Sequence, residues 1–515
     1  MRRWSKGLLT ATLSLGLLAA NAQKSTKPAV LKYNDYKHYV DYFNKMEDEN
    51  IVQAIPNEKS WDWMQKNIPL FDCPQDNFRE IYYFRWWSFR KHIQNTDQGP
   101  VITEFLVKRN YAAKYNLIAS ALGHHIYEAR WLHDQSLLDN YVKVWYRGND
   151  GKPLDKLHGF SSWTPYALYE RWKINRDDKF IKDITPDMLA DYKRWEETRR
   201  HANGLFWQTD VKDAMEEQIS GGRREQNPRP TINSYMTANA AVLSKMEAMR
   251  GNKENAALFA RKSDTLKQLL QTKLWNPKHE FFETWKFVGD TSANVKEAIG
   301  FIPWYFNIPD KQYSSAWKSL MSTKEFCAPF GITTADRSHP LFRTHGCCEC
   351  EWDGAIWPFA TSQTLTAMAN FMNNYDQNYV SKNDYYQQMN TYVESQYYRG
   401  RPYIGEYLDE KTGYWLKGDQ ERSRYYNHST FADLIITGLV GLQPTEDNNV
   451  LLQPNMDASK WDWFCLDNVI YRGKTLTIIW DKDGTKYKKG KGFTLMVNGK
   501  KVANQPTLGK LVYKL

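Results

Sequence analysis

The stretch "TSQTLTAMANFMNNY" (361–375) decides the fold class. Leu365, Met368, Phe371 and Met372 recur near the 3.6-residue period of a helix, whereas a strand would alternate every second residue. The same period appears on either side of it, in "KYNDYKHYVDYFNKM" (32–46), "ITEFLVKRNYAAKYNLIASALGHHIY" (102–127), "SYMTANAAVLSKMEAMRG" (234–251), "NAALFARKSDTLKQLLQTKLW" (255–275) and "NDYYQQMNTYVESQYY" (383–398). Loops rich in Gly, Pro, Asn and Trp separate these runs: "FSSWTPY" (160–166), "SGGRREQNPRPTINS" (220–234), "RTHGCCECEWDGAIWP" (343–358) and "RPYIGEYLDEKTGYW" (401–415). Many helices joined by aromatic and acidic loops predict a mainly α fold over 30–443, an (α/α)6 toroid with its site at one end.

After Pro444 the pattern changes. "NVLLQPN" (449–455), "WFCLDNVIY" (463–471), "KTLTIIWDKDG" (474–484) and "GFTLMVNGKKV" (492–502) are short alternating runs broken by Asp-Gly and Asn-Gly turns. They predict a small β-sandwich-like domain over 444–515. Asp481-Lys482-Asp483-Gly484 begins like a calcium loop but lacks the downstream Glu, so it is read as a hairpin turn.

The composition narrows the class of function. The chain has 515 residues, is 42% hydrophobic and 25% charged, and so is globular. Its 21 Trp and 32 Tyr are the outlier, flat apolar faces with polar edges that suit sugar rings as well as a bulky core. The net charge of +10 is not gathered into a block dense enough for nucleic acid, and "KDGTKYKKGKG" (482–492) reads as a solvated hairpin. No phosphate-binding Gly-rich loop is present, and no cofactor is expected. The six Cys are too few for a disulfide scaffold. Cys347, Cys348 and Cys350 leave metal, disulfide and free-thiol readings open; the adjacency of the first two is poor for zinc, and buried free thiols are favoured. A basic start, a short apolar run and Ala-Asn-Ala before Gln23 have the layout of a cleavable signal over 1–22, so a periplasmic or secreted protein without a membrane span is expected.

Glycoside hydrolysis needs two carboxyl groups flanking the scissile bond, usually from distant points in the chain. The first candidate stretch is "WQTDVKDAMEEQISGG" (207–222), with Asp210, Asp213, Glu216 and Glu217 crowded beside Trp207 and Gln208. A helix over 210–220 would put Asp210, Asp213 and Glu217 on one face with Glu216 beside them; the plainer reading is acids favoured in a helix's first turn. The second candidate is Glu406, set among Tyr403, Tyr407, Tyr414 and Trp415 and so partly desolvated, while Asp409 and Glu410 read as solvated.

These segments are similar to known ones. "YIGEYLDEKTGYW" resembles the loop that carries the catalytic base in family 63 glycoside hydrolases and the related mannosylglycerate hydrolases. "WDGAIWPFATSQTL" (352–365) resembles their Trp-Arg-Gly-Pro-x-Trp segment. "VKDAMEEQI" resembles the segment that holds the general acid there and in trehalases, and "RPTINSYM" (229–236) resembles the start of the next helix. The resemblance implies an (α/α)6 glycosidase that inverts the anomeric centre, with Glu216 as general acid, Glu406 as general base and Asp213 as the rival acid. Glu216 stands where the family usually has Asp, Ala214 where Gly is usual and Asp353 where Arg is common; these departures bear on the substrate more than on the reaction.

The expected sugar contacts are Trp207, Gln208, Arg130, Trp131, Asp134, Trp352, Asp353, Trp357, Tyr407 and His428. For "YFRWWSFRKH" (83–92) and "YEARWLHD" (127–134) a satisfied helix interface is an equal alternative, and His124-His125 read as bridges between helices. The expected partner is a carbohydrate. An α-L-rhamnosidase, a polysaccharide lyase using the Tyr, Asn and His of "RYYNHSTFADLIITGLVGLQP" (424–444), and a non-catalytic glycan-binding protein are the alternatives.

Overall fold

A computed structural model describes residues 27–346 and 350–515. The signal-like segment 1–22, Cys347 and Cys348 lie outside the described residues.

Burial sorts the helices into two sets, except that Asp76–Lys91, outer by its place in the chain, has 12 of 16 residues buried and is covered by Lys37–Lys45. In Leu122–Ala129 all 8 residues are buried, in Pro230–Met249 15 of 20 and in Pro358–Asn374 13 of 17. A helix buried on all sides is interior. Lys253–Lys273 buries only Phe259, Leu266, Leu270 and Gln271, a stripe along one face, as an outer helix should. Inner and outer helices alternate along the chain. Each outer helix precedes its inner partner: Asp76–Lys91 before Leu122–Ala129, Ser136–Arg147 before Thr164–Asn175, Asp178–Arg199 before Pro230–Met249, Lys253–Lys273 before Ile302–Tyr305, the 3-10 segment Lys311–Ser319 before Pro358–Asn374, and Lys382–Ser395 before the π-helical turn Leu434–Leu439. Successive inner helices touch one another in chain order.

The last inner helix also meets the first. The buried Glu128 carboxylate accepts the backbone N–H groups of Phe431, Ala432 and Asp433 at 2.9–3.3 Å, which are the otherwise orphaned donors where the last helix begins. Asp433 in turn accepts Arg130 Nη2 at 2.7 Å and the Trp131 indole N–H at 2.6 Å. This mainly helical body is the fold expected from the sequence.

The β-rich part follows where expected, but it is not built from the C-terminal residues alone. Its five-stranded antiparallel sheet runs Leu70–Asp72, Trp463–Tyr471, Lys474–Asp481, Gly492–Val497, Lys500–Gln505, with Leu70 opposite Asp467 and Asp72 opposite Cys465. A three-stranded sheet of Leu442–Gln443, Asn449–Leu452 and Leu511–Lys514 accompanies it. Asp467 is wholly buried and accepts the N–H groups of Val30 at 2.7 Å and Leu31 at 2.9 Å and the Thr477 hydroxyl at 2.7 Å. Across the seam with the helices, Arg472 N–H donates to the Ile174 carbonyl at 2.7 Å. Asp481 accepts the Gly484 N–H at 3.0 Å, so the calcium-like stretch is a turn held by its own carboxylate.

Candidate active site

A cavity of about 360 Å³ opens at the end of the molecule where the inner helices begin. Its walls are the segments leading into those helices: Ser120 before Leu122–Ala129, Phe160 before Thr164–Asn175, Glu216 and Arg223 before Pro230–Met249, Trp352 and Trp357 before Pro358–Asn374, and Glu406, Arg422 and His428 before Leu434–Leu439. Loops gathered on a rigid ring of helices are where such a fold can place reactive groups.

Glu216 and Glu406 both line this cavity. No helix spans 210–220. A single 3-10 turn, Val211–Asp213, is followed by left-handed backbone at Ala214 (φ 59°) and Glu217 (φ 67°). Asp210 holds the turn, accepting the N–H groups of Val211 at 2.6 Å and Glu217 at 3.2 Å. Gly221 packs against Asp210, with room for no Cβ (2.7 Å), which accounts for one Gly of the pair. The reversal separates acids that a helix would have aligned. Asp213 points into the protein, where it pairs with Arg229 Nε at 2.8 Å and accepts from the Thr231 hydroxyl, with both charged side chains fully buried. Glu216 is half-buried in the cavity wall, its carbonyl accepting the Trp352 N–H at 3.4 Å. Desolvation, with a smaller contribution from Asp210 and Glu406, raises the Glu216 carboxyl to about 7.

Glu406 is gripped from two sides. Lys417 Nζ stands 2.8 Å from Oε2, and Arg422 Nε donates to Oε1 at 3.0 Å. Its backbone N–H donates to the Ser423 hydroxyl at 3.1 Å. Behind it, Trp352, Trp357 and Tyr407 form a stack with ring centroids 4.4 and 4.6 Å apart. Trp352, Trp357 and His428 line the cavity, and Tyr407 backs it. Glu410, expected to be solvated, is buried with Arg343 Nε 3.5 Å away. Asp409 closes the turn, accepting the Lys411 and Thr412 N–H groups.

Six expected sugar contacts lie elsewhere. Arg130 is at the opposite end of the ring, where it and Trp131 are committed to Asp433. The Asp134 carboxylate accepts from Ser136, at the start of an outer helix. Trp207 pairs in a short strand with Pro228, its ring under Arg199 at 4.4 Å. Gln208 is buried and donates to the Ser161 hydroxyl at 3.3 Å. Asp353 is buried and accepts the N–H groups of His345 at 2.6 Å and Gly346 at 3.0 Å, so it shapes the loop before the Trp stack. In each case the side chain is held by partners away from the cavity rather than turned into it. Arg85, too, holds a helix interface, donating to Ser429, and His125 bridges Tyr141 and the Asn427 carbonyl as expected of it.

The structure adds groups that the sequence reading passed over, Glu104, Arg422 and Arg223 in the cavity and Lys417 behind it, and brings in Tyr426, which that reading had weighed only for a lyase. Glu104 lies in the stretch read as helical over 102–127, of which only 122–127, the start of Leu122–Ala129, is α-helical. Among the described residues, no group of three or more His, Cys, Asp or Glu side chains is placed to hold a metal ion, and no helix is long and apolar enough to cross a membrane. Cys73, Cys327, Cys350 and Cys465 are free thiols.

Comparison with known proteins places this geometry. Residues 114–429 match the mannosylglycerate hydrolase MGH1-like glycoside hydrolase domain, and residues 445–504 match the C-terminal domain of glycosyl hydrolase family 65. A solved structure named sialidase is 60% identical over 94% of this chain, with a TM-score of 0.93, and the match takes in 45% of that chain. The GH63 mannosylglycerate hydrolase of Thermus thermophilus in complex with glucose shares the fold at 12% identity (TM-score 0.52), covering 69% of this chain and 99% of that one. The GH78 rhamnosidase of Bacillus sp. GL1 does so at 11% identity (TM-score 0.56), covering 83% of this chain and 41% of that one. The chain thus spans less than half the length of the sialidase and rhamnosidase chains it matches.

Proposed function

The chain belongs to the family of mannosylglycerate hydrolase MGH1-like glycoside hydrolase domains, and from that premise we propose that it cleaves a glycosidic bond by general acid and base catalysis with inversion. Glu216 is the acid and Glu406 the base. The observation that carries the reading is that the two carboxyls face one cavity in contrasting surroundings, Glu216 raised to about 7 by burial and Glu406 ion-paired with Lys417 and Arg422. Carboxyls set apart by their surroundings are how glycosidases divide the two roles. A protonated Glu216 gives its proton to the leaving oxygen, while Glu406 orients a water and takes its proton as the water attacks the anomeric carbon. Asp213 is not the donor, because its charge is spent on Arg229.

The test is a panel of aryl glycosides and oligosaccharides that includes mannosides, glucosides, rhamnosides and sialosides. Release of a reducing sugar whose first-formed anomer, seen by NMR, is opposite to that of the substrate supports the reading. Retention of configuration overturns inversion. An ultraviolet-absorbing unsaturated uronate in place of reducing sugar makes the protein a lyase. Glu406→Gln should lose roughly 10²-fold or more in turnover with its fold intact, and near-normal turnover in that variant overturns its role as base. The leader-like residues 1–22 support export to the periplasm or medium; a processed N-terminus at Gln23 is the expected product, and an intact Met1 in the mature protein opposes it.

A further inference from the structure

Among the described residues three carboxyls line the cavity, and acid and base account for two of them. The third is Glu104, which follows the short strand Gly99–Ile102 and is 4% exposed. The Tyr426 hydroxyl donates to its Oε1 at 2.6 Å, and His428 Nδ1 stands 3.9 Å from the same oxygen. The Ser120 side chain is a further hydrogen-bond partner of this carboxyl. Its other oxygen, Oε2, has no hydrogen-bond partner among the described residues. Neither has His428 Nε2 nor the Trp352 indole N–H, and all three are buried. They belong to residues at the cavity's buried end, while Tyr111, Lys212 and Arg223 form the exposed rim.

A buried polar atom left without a partner costs about 1–3 kcal/mol. Three of them lie just beneath the lining of one cavity, so that a rotation of those side chains would bring them to a ligand hydroxyl. The electrostatics agree. Burial, joined by the charge of Glu406, pushes the Glu104 carboxyl up to about 8, and burial holds the His428 imidazole well below its ordinary range. At neutral pH this end of the cavity is therefore uncharged at both positions. A protonated carboxyl donates and accepts, and so does a neutral imidazole. A sugar hydroxyl, which also does both, can bridge them; a deoxy carbon cannot.

We propose that Glu104 is a specificity-determining residue, which together with His428 clamps one hydroxyl of the sugar ring that enters the cavity first. The proposal rests on the glycosidase reading for the nature of the ligand. A site built to hydrogen-bond a hydroxyl rejects the analogue lacking it far more strongly than an apolar pocket rejects a missing methylene, so this clamp sets which sugar the cavity admits.

The test is calorimetric binding of free D-glucose, D-mannose, D-galactose, L-rhamnose and L-fucose to the full chain, followed by the single-deoxy analogues of the sugar that binds. E104M keeps the volume and removes the hydrogen bonds; E104Q keeps a neutral donor and acceptor. E104M should bind the parent sugar roughly 10- to 100-fold more weakly, while E104Q stays within a few-fold of the native protein. One deoxy analogue should bind equally weakly to native protein and E104M, which identifies the clamped hydroxyl. An E104M loss that is the same on every analogue would reveal a structural role and overturn the proposal, as would undiminished binding by E104M or no binding of any sugar to the native protein. Should E104M fail to fold, a native protein indifferent to every deoxy substitution overturns it, and a single sensitive position together with normal binding by E104Q upholds it. The two readings fail separately. If the deoxy pattern holds and no glycoside is hydrolysed, the enzyme reading falls and the clamp stands; if glycosides are hydrolysed and E104M acts uniformly, only the clamp falls.

Discussion

Asp213→Asn and Glu216→Gln change carboxyls three positions apart, and the structure gives them opposite consequences. Asn at 213 leaves Arg229 buried without its counter-charge, and breaking such a pair costs roughly 3–5 kcal/mol. Chemical denaturation should show that loss, and an unchanged midpoint would contradict the buried pair. Glu216→Gln should keep the fold and lose roughly 10²-fold in turnover, the scale of a positioned proton donor. Its pH behaviour follows from the carboxyl standing at about 7 in the folded protein against 4.5 when unperturbed. A donor must hold its proton, so native activity should fall as pH rises through about 7. Stability has the same sign: the folded value is the higher one, so what this group leaves to the fold is complete below about 4.5 and is lost as pH rises through about 7. Glu216→Gln should match the native protein near pH 4.5 and exceed it at pH 8 by on the order of 3 kcal/mol. Equal melting at both pH values would show that Glu216 is solvated in the folded protein.

At the scale of elements, Glu128 joins the first inner helix to the last. Glu128→Ala removes the acceptor from three buried backbone donors. At about 1–3 kcal/mol for each unsatisfied group, the variant should unfold at a markedly lower denaturant concentration, while Asp134→Ala, on a residue whose partner is its own neighbour Ser136, should move the midpoint little. The sequence made the helices legible because their period is local; it pointed to Glu406 because that acid sits among aromatics, and to Glu216 only through the resemblance of its segment to the family's acid-bearing one. It misled over 102–127. There an apolar spacing like that of a helix belongs to an irregular segment, held by the Asn116 side chain, which accepts the Arg109 N–H and donates to the Phe105 and Val107 carbonyls. Read as helix, the stretch hid Glu104. Arg130, Trp131 and Asp353 misled for a related reason. Arg and Trp side by side, or Asp beside Trp, look the same in sequence whether they await a ligand or already hold Asp433 or a loop backbone. The partner that decides lies about 300 positions away for Arg130, so no local pattern reports it.

For the whole molecule, the β-rich end and the helical body are one folding problem. Leu70–Asp72 is an edge strand of the C-terminal sheet, Leu70 and Phe71 are fully buried, and Asp467 anchors the backbone of Val30 and Leu31. Deleting 445–515 should therefore leave a helical remnant with an exposed strand and unpaired amides, prone to association. Size-exclusion chromatography should show aggregates or no soluble product, and a monodisperse, cooperatively melting remnant would refute the coupling.

The partnership between Asp467 and Leu31 spans 436 positions, and it sets a clock on the protein's maturation. A ribosome releases residue 31 long before it has made residue 467, at about 5–20 residues per second. For most of synthesis the first segment of the chain has no lasting place to go. Local helices can form as they emerge, but the contact that fixes residues 30 and 31 forms only after residue 467 has been translated. Contacts of such long range are slow to find and leave incomplete chains sticky. The final lock on this architecture thus waits for the strand that carries Asp467.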